Sequence, residues 1–248
     1  MLAEERLNEI LTIVERKKTV SVQELIEALD TSESTIRRDL TLLHRKGKLI
    51  KVRGGAIALG GDYKTNDDDI SIRQDMNRED KIKIARYAAG LIAPNDFVYL
   101  DAGTTTEIMI DYITEKSAKF VTNATNHAGK LARKGYTTYI LGGELKPITD
   151  AILGDEAIAS LKKYNFTKGF WGTNGINLKA GFSTPDVNEA MVKAEAMRHC
   201  KECYVLGDSS KFNHISSVTF ANFEDCNIIT TNLEDKTLRR RKNIKEIE

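Results

Sequence analysis

The residues able to do chemistry stand in short clusters at the ends of apolar runs. YLDAGTTT (99–106) sets Asp101, Gly103 and three hydroxyls, Thr104, Thr105 and Thr106, between an apolar run and an amphipathic one. A strand–turn–helix of that composition presents free amides, hydroxyls and the positive end of a helix dipole, which suits a phosphate. It lacks the GxxxxGK of a Walker loop. Asp101 would repel a phosphate and suits a sugar hydroxyl instead, as does Asn123 at the end of the next apolar run. LGGELK (141–146) adds Gly142, Gly143 and Lys146, and GTNGI (172–176) another glycine turn. In GDSSKF (207–212), Asp208 and Lys211 bracket two serines, and Lys211 is a candidate counter-ion for a phosphate. Any one of these turns fits an ordinary loop, and the threonines alone fit a helix cap. Together they point to a small, anionic, polyhydroxylated ligand at the carboxyl ends of strands.

A second cluster is TSESTIRRDL (31–40). At 100° per residue Ile36, Leu40 and Leu43 share a stripe, while Ser34, Arg38, Thr41 and Arg45 lie opposite with Arg37 beside them. Ser32 is placed to cap the helix with its hydroxyl, and Thr35 stands in the first turn. Hydroxyls and guanidinium forks on one face suit phosphate oxygens and guanine edges. An amphipathic surface helix with two arginines is the alternative, which its neighbours weigh against. Leu7, Ile10, Leu11 and Val14 have helical spacing, and Arg16, Lys17 and Lys18 end that helix. Ser21 with Glu24 forms a capping box for a second helix, and Asp30 and Thr31 turn into the third. That is the order of a helix-turn-helix. KLIKVRGGAIAL (48–59) then reads as a two-stranded wing turning at Gly54-Gly55, with Arg53 at its tip. Seven basic residues against one acidic from Arg37 to Arg53 fit a polyanionic partner.

Residues 60–69 are glycine-rich and acidic, so 59–78 reads as a linker between a unit over 1–58 and another over 79–248. The second unit opens on a helix (79–92) with Ile82, Ala85, Ala89 and Ile92 on one face. Six short apolar strands then alternate with helices (97–101, 119–123, 137–143, 167–173, 202–208 and 227–231). That alternation predicts a parallel, doubly wound α/β sheet.

With 37 Lys+Arg against 36 Asp+Glu and a 41% apolar fraction, the 248 residues can form two folded units. No apolar run reaches the roughly 20 residues that span a bilayer, and the acidic start is unlike a signal peptide. A cytoplasmic protein without a membrane partner is the expectation. HCKEC (199–203) has the residue types of a zinc or redox site, but no second cysteine pair accompanies it, which favours core cysteines. His44, His127, His199 and His214 sit in no nucleophile context, so neither a catalytic residue, a metal nor a cofactor is expected.

SESTIRRDL, KVRGGA, LDAGTTT, FVTN, ILGGELK and LGDSSKF, in that order, resemble the DeoR family of bacterial transcriptional regulators over nearly the whole chain. KYNFTKGFWGTNGI and GFSTPDVNEAMVK resemble most closely its fructose operon repressors from Gram-positive bacteria. The resemblance implies a winged helix-turn-helix that binds double-stranded operator DNA. It also implies a sensor domain related in fold to ribose-5-phosphate isomerase, binding a phosphorylated sugar such as fructose 1-phosphate. Gly103, Thr104 and Thr105 then match the phosphate loop, and Asp101, Asn123, Asp208 and Lys211 the surrounding pocket. Arg53 stands where the family usually has His, and Gly207 where it usually has Ala. A homodimer or homotetramer repressor, not an enzyme, is expected. An isomerase-like enzyme fused to a DNA-binding domain is the alternative.

Overall fold

The computed structural model describes residues 3–17, 19–58, 63–64, 70–233 and 235–248. Lys18 and most of the acidic stretch 60–69, named above, lie outside them. Two compact units result, Met1–Gly61 with Asp75–Arg78, and Asp62–Gln74 with Glu79–Glu248.

The first unit runs α1 (Ala3–Lys17), β1 (Thr19–Ser21), α2 (Val22–Leu29), α3 (Glu33–Arg45), β2 (Leu49–Val52) and β3 (Gly55–Ala58). Ile10, Val14, Leu25, Ile36, Leu40 and Leu49 form its core, so the apolar stripes of the three helices meet one another. The capping box at α2 is present, with the Glu24 amide donating to Ser21 Oγ at 3.1 Å. Asp30 ends α2 in the left-handed region, φ 45°. Arg6 ties α1 to α3 through a 2.6 Å ion pair with the buried Asp39.

Two details differ from expectation. The Ser32 hydroxyl caps no amide; it meets Ser34 Oγ at 3.1 Å and Thr35 Oγ1 at 2.9 Å instead. The wing turns at Arg53-Gly54, because Val52 pairs with Gly55. Gly54 takes the positive φ of 94° that the tight turn needs. Gly55 serves a different end: β1 pairs antiparallel with β3, and a Cβ there would stand 2.1 Å from Val20 O. That third strand, too short for a sequence signal, makes the sheet order β1-β3-β2.

Within 59–78, β4 (Tyr63–Lys64) and α4 (Ile70–Asp75) are followed by α5 (Arg78–Ala89). The inner face of α5 is Ile84, Ala85, Ala88 and Ala89, whereas Ile82 is half-buried. Isoleucines alternate with lysines here, so periodicity allows two faces. The face with small alanines packs closest, and Lys81 is buried with it.

The second unit continues with β5 (Phe97–Leu100), α6 (Thr104–Tyr112), β6 (Lys119–Thr122), α7 (Thr125–Arg133) and β7 (Thr137–Ile140). A hairpin follows, β8 (Glu144–Lys146) and β9 (Ala151–Leu153), then α8 (Asp155–Leu161) and β10 (Phe166–Gly172). Next come β11 (Gly175–Asn177), β12 (Gly181–Thr184), α9 (Val187–Arg198) and β13 (Cys200–Leu206). The chain closes with β14 (Ile215–Ser216), β15 (Val218–Ala221), β16 (Asn227–Thr231) and β17 (Ile244–Ile247). All six expected strands join β17 in one parallel sheet, order β17-β16-β13-β10-β5-β6-β7.

Alternation along the strands sends Val98, Leu100, Phe120 and Phe170 to a core shared with α5, α6 and α7. Tyr99, Val121, Trp171 and Val205 face the opposite core, shared with α8 and α9. Gly169 makes room for Trp171, whose ring would stand 2.3 Å from a Cβ there. β11, β12 and β15 form a small antiparallel sheet of their own.

Candidate functional site

Because the sheet is parallel, every strand delivers its following loop to the same edge. The order reverses direction between β5 and β10, the switch point where a crevice opens in such sheets. Asp101 and Gly103 follow β5, and Gly172 and Thr173 end β10, so the expected phosphate loop sits at this point.

Asp101 is buried and carries the site's charge balance. Its Oδ2 accepts the Gly172 amide at 3.1 Å and the ammonium of Lys193 from α9. Burial pushes the Asp101 carboxyl above its usual range, and the Lys193 charge opposes that rise. One turn earlier on α9, Glu189 accepts Lys146 Nζ at 3.1 Å, Thr149 Oγ1 at 3.0 Å and Thr184 Oγ1 at 3.2 Å. Burial raises the Glu189 carboxyl, but Lys193, Lys146 and Arg73 together bring it below its usual range. Asp186 caps α9, accepting the Glu189 amide at 2.9 Å, and pairs with Lys146 at 3.1 Å. Sequence reasoning missed Glu189, Lys193 and Arg73. The available signal was two opposite charges four residues apart, Glu189 and Lys193, on a helix whose buried side also holds Ala190, Val192 and Ala196.

The expected ligand residues divide. Gly103 stands at the N-cap of α6, and Thr104 and Thr105, both buried, open its first turn. Gly103 has an extended φ of 173°, so no left-handed backbone requires it. Thr106 is a correction: its hydroxyl donates to Asp101 O at 2.7 Å and Gly103 O at 2.8 Å, pinning the loop instead of facing a ligand. Asn123 orients the loop too, its Oδ1 accepting the Ala102 amide at 2.9 Å. Lys146 reaches the site through the β8–β9 hairpin, where two α9 carboxylates hold it. Asp208 is buried and caps a short helical turn containing Lys211. Gly142 and Gly143 follow β7, four strand spacings from Asp208 after β13, roughly 19 Å. Gly143 has a structural duty: at φ 137°, its Cβ position lies 2.4 Å from Leu153 O.

His127, on α7, also meets the loop. Its Nε2–H donates to Gly103 O at 3.2 Å, and its buried Nδ1 has no hydrogen-bond partner. Burial lowers its pKa from 6.5 to about 4. An unfolded chain therefore takes up this proton first as pH falls. Stability from this group is complete above pH 6.5 and is lost between 6.5 and about 4, by about 3 kcal/mol. His127→Asn is expected to flatten that part of the acid limb in urea unfolding measured from pH 4 to 7. An unchanged slope would assign the limb to other groups.

In the first unit Ser32, Ser34, Arg37, Arg38 and Arg45 are exposed on α3, with Thr35 and Thr41 half-buried. Arg37 is held by Glu33 at 2.7 Å. Thr41 Oγ1 donates to Arg37 O at 2.7 Å and accepts Lys51 Nζ from the wing at 2.6 Å. Arg53 is exposed at the wing tip. One helix face and the wing thus present cations together, the arrangement of a winged-helix DNA reader.

Residues 6–60 match the model of the DeoR-like helix-turn-helix domain, and residues 76–233 that of the DeoR C terminal sensor domain. The chain belongs to the DeoR family. It is 44% identical over 244 residues to the uncharacterized HTH-type transcriptional regulator FruR of Bacillus subtilis (strain 168), covering 96% of this chain and 94% of that one. It is 32% identical over 238 residues to the lactose phosphotransferase system repressor of Staphylococcus aureus (strain N315), covering 94% and 93%. The regulator IolR of Bacillus subtilis (strain 168) is 34% identical over 230 residues, covering 91% and 90%. Among solved structures, ribose 5-phosphate isomerase A from Methanocaldococcus jannaschii is similar over 55% of each chain, with a TM-score of 0.42 and 14% identity.

This DeoR-family chain is a helix-turn-helix transcription regulator with an α/β sensor unit. Cys200 and Cys203 are half-buried free thiols, His199 donates to Glu195 at 3.3 Å, and no metal-holding cluster occurs among the described residues. No helix among the described residues is long and apolar enough to cross a membrane.

Proposed function

We propose that the protein is a repressor of a sugar-utilisation operon of fructose type, acting as a homodimer or homotetramer. Its α3 face and Arg53 read operator DNA, and a phosphorylated sugar such as fructose 1-phosphate binds between the β5–α6 loop and α9. The observation that carries the effector is the N-terminus of α6 at the switch point, with Gly103, Thr104 and Thr105 beside Asp101. Amides and hydroxyls there suit the phosphate. The buried Asp101 carboxylate and the orphaned His127 Nδ1 are acceptors suited to sugar hydroxyls. Relatives named as a transcriptional regulator FruR and a lactose phosphotransferase system repressor support the operon class. Lys193, Glu189 and Lys146 are committed to ion pairs with one another and with Asp101 and Asp186, which supports binding over turnover.

The test is a thermal-shift panel of phosphorylated sugars on the full chain, since a ligand that binds only the folded state raises its stability. Fructose 1-phosphate is expected to raise the melting temperature without being consumed. Thr104→Ala with Thr105→Ala is expected to weaken its binding by about tenfold or more, through lost hydrogen bonds to a charged group. A panel without any stabilising sugar phosphate, or turnover of ribose 5-phosphate or fructose 1-phosphate, would refute the reading.

A further inference from the structure

The two edges of the parallel sheet are finished differently. β17 closes one edge and β7 the other. β17 carries Lys245 and Glu246 within its four residues, and Arg239 pairs with Glu246 at 3.0 Å. Charge on an outer strand deters pairing with a further strand. β7 is Thr137, Thr138, Tyr139 and Ile140, with neither a charge nor a proline. No strand among the described residues pairs with its outer side, and the N–H and C=O groups of such an edge are a template for one more strand.

The surface around this edge is apolar. Tyr139 and Ile140 are 43% and 46% exposed, and Leu145 and Ile148 of the following hairpin 46% and 40%. These four, within ten residues, are half of the eight large apolar side chains exposed among the described residues. Scattered exposed apolar groups are ordinary, whereas a concentration beside an open strand edge marks an interaction surface. Tyr139 is also fixed in advance. Its ring lies 6.2 Å from Phe97 and 6.3 Å from Tyr164, on the wall of an open groove of about 450 Å³. A ring already held by its own chain loses little freedom when a partner covers it.

The charges flanking β7 decide what covers it. Arg133 stands four residues before the strand and Glu144 four residues after it. Both are exposed, and neither is in an ion pair among the described residues. In an antiparallel pair of β7 strands about a two-fold axis, each end of one strand lies beside the opposite end of the other. Arg133 of each copy then comes beside the partner's Glu144. A two-fold contact needs a surface that complements itself, and an uncharged strand with opposite charges beyond its two ends meets that need.

We propose that β7 is a dimer interface of this protein, pairing antiparallel with β7 of a second copy, with Leu145 and Ile148 beside the pair and Arg133 meeting the partner's Glu144. The pairing joins two seven-stranded sheets into one. The inference rests on the self-association given under the proposed function and is independent of the effector.

The test measures the self-association constant of the full chain by sedimentation equilibrium at low salt. The wild type is expected to form dimers or tetramers. Ile140→Lys gives β7 the edge cation that β17 has in Lys245, and is expected to weaken association by about tenfold or more. Arg133→Glu and Glu144→Arg each set like charges together twice in a two-fold pair, and are each expected to weaken it by about fivefold. Combining the two reversals exchanges the charges and should return the constant to within about twofold of wild type. A variant that merely misfolded would not be rescued by a second reversal. A wild-type constant in Ile140→Lys, or in both single reversals, would overturn the inference and leave self-association intact. Single reversals that weaken association without recovery in the double variant would exclude the antiparallel pair and the inference with it. A wild type that stays monomeric at every soluble concentration would overturn self-association and this inference together, and assign the β7 edge to a strand of another protein.

Discussion

Replacing Lys193 by methionine is expected to lower the melting temperature by about 10 °C, the effect of leaving a buried charge without its partner. Lys193 and Asp101 are almost wholly buried, with side chains 6% and 2% exposed. Lys193 also donates to Gly172 O at 3.2 Å and lowers the pKa of Glu189. Methionine keeps the length of the side chain and removes the charge, so lost packing contributes little. Asp101, already pushed up by burial, would rise further and be buried at the cost of binding a proton. A carboxyl whose folded pKa lies above its unfolded one loses stability as pH rises. The deficit of Lys193→Met should therefore be larger at pH 8 than at pH 5. Adding Asp101→Asn removes the orphaned charge and should recover most of the loss. A double variant as unstable as Lys193→Met alone would show that Lys193 acts through something other than this pair.

Arg38→Ala is expected to weaken binding to the duplex this protein selects from a random DNA library by about tenfold to a hundredfold, the worth of one bidentate contact to a base edge. Arg38 lies between Ser34, Thr41 and Arg45 on the exposed stripe of α3, opposite Ile36 and Leu43 in the core. Its neighbour Arg37 is engaged by Glu33, so Arg37→Ala should cost less. Base reading and phosphate contact separate in the controls. Loss of a base contact reduces discrimination between the selected duplex and a scrambled one, whereas loss of a phosphate contact weakens both alike. The fructose 1-phosphate thermal shift of Arg38→Ala should match the wild type. Duplex affinity within twofold of wild type at fixed salt would exclude Arg38 from the reading face.

Several errors of sequence reading share a cause. Lys146 stands in the sequence as a cation beside a glycine turn, and the carboxylates that hold it, Asp186 and Glu189, lie 40 and 43 residues away at the start of another helix. Ser32 has the right residue type and backbone for a cap, yet nearby hydroxyls compete for its oxygen. Thr106 resembled its two neighbours, and only the turn geometry directs its hydroxyl inward.

What the sequence determined by itself were features encoded over a few residues. The capping box at Ser21, the stripes of α1 to α3, and the strand–turn–helix at 99–106 each follow from local spacing, because helix and strand periods place side chains without reference to the rest of the chain. The tertiary structure decided which charges meet. Asp101 and Lys193 are 92 residues apart in sequence, and Lys146 and Glu189 are 43 apart. Pairing of that kind depends on strand order, and strand order is set by packing across both sheet faces, which leaves no periodic mark on either partner.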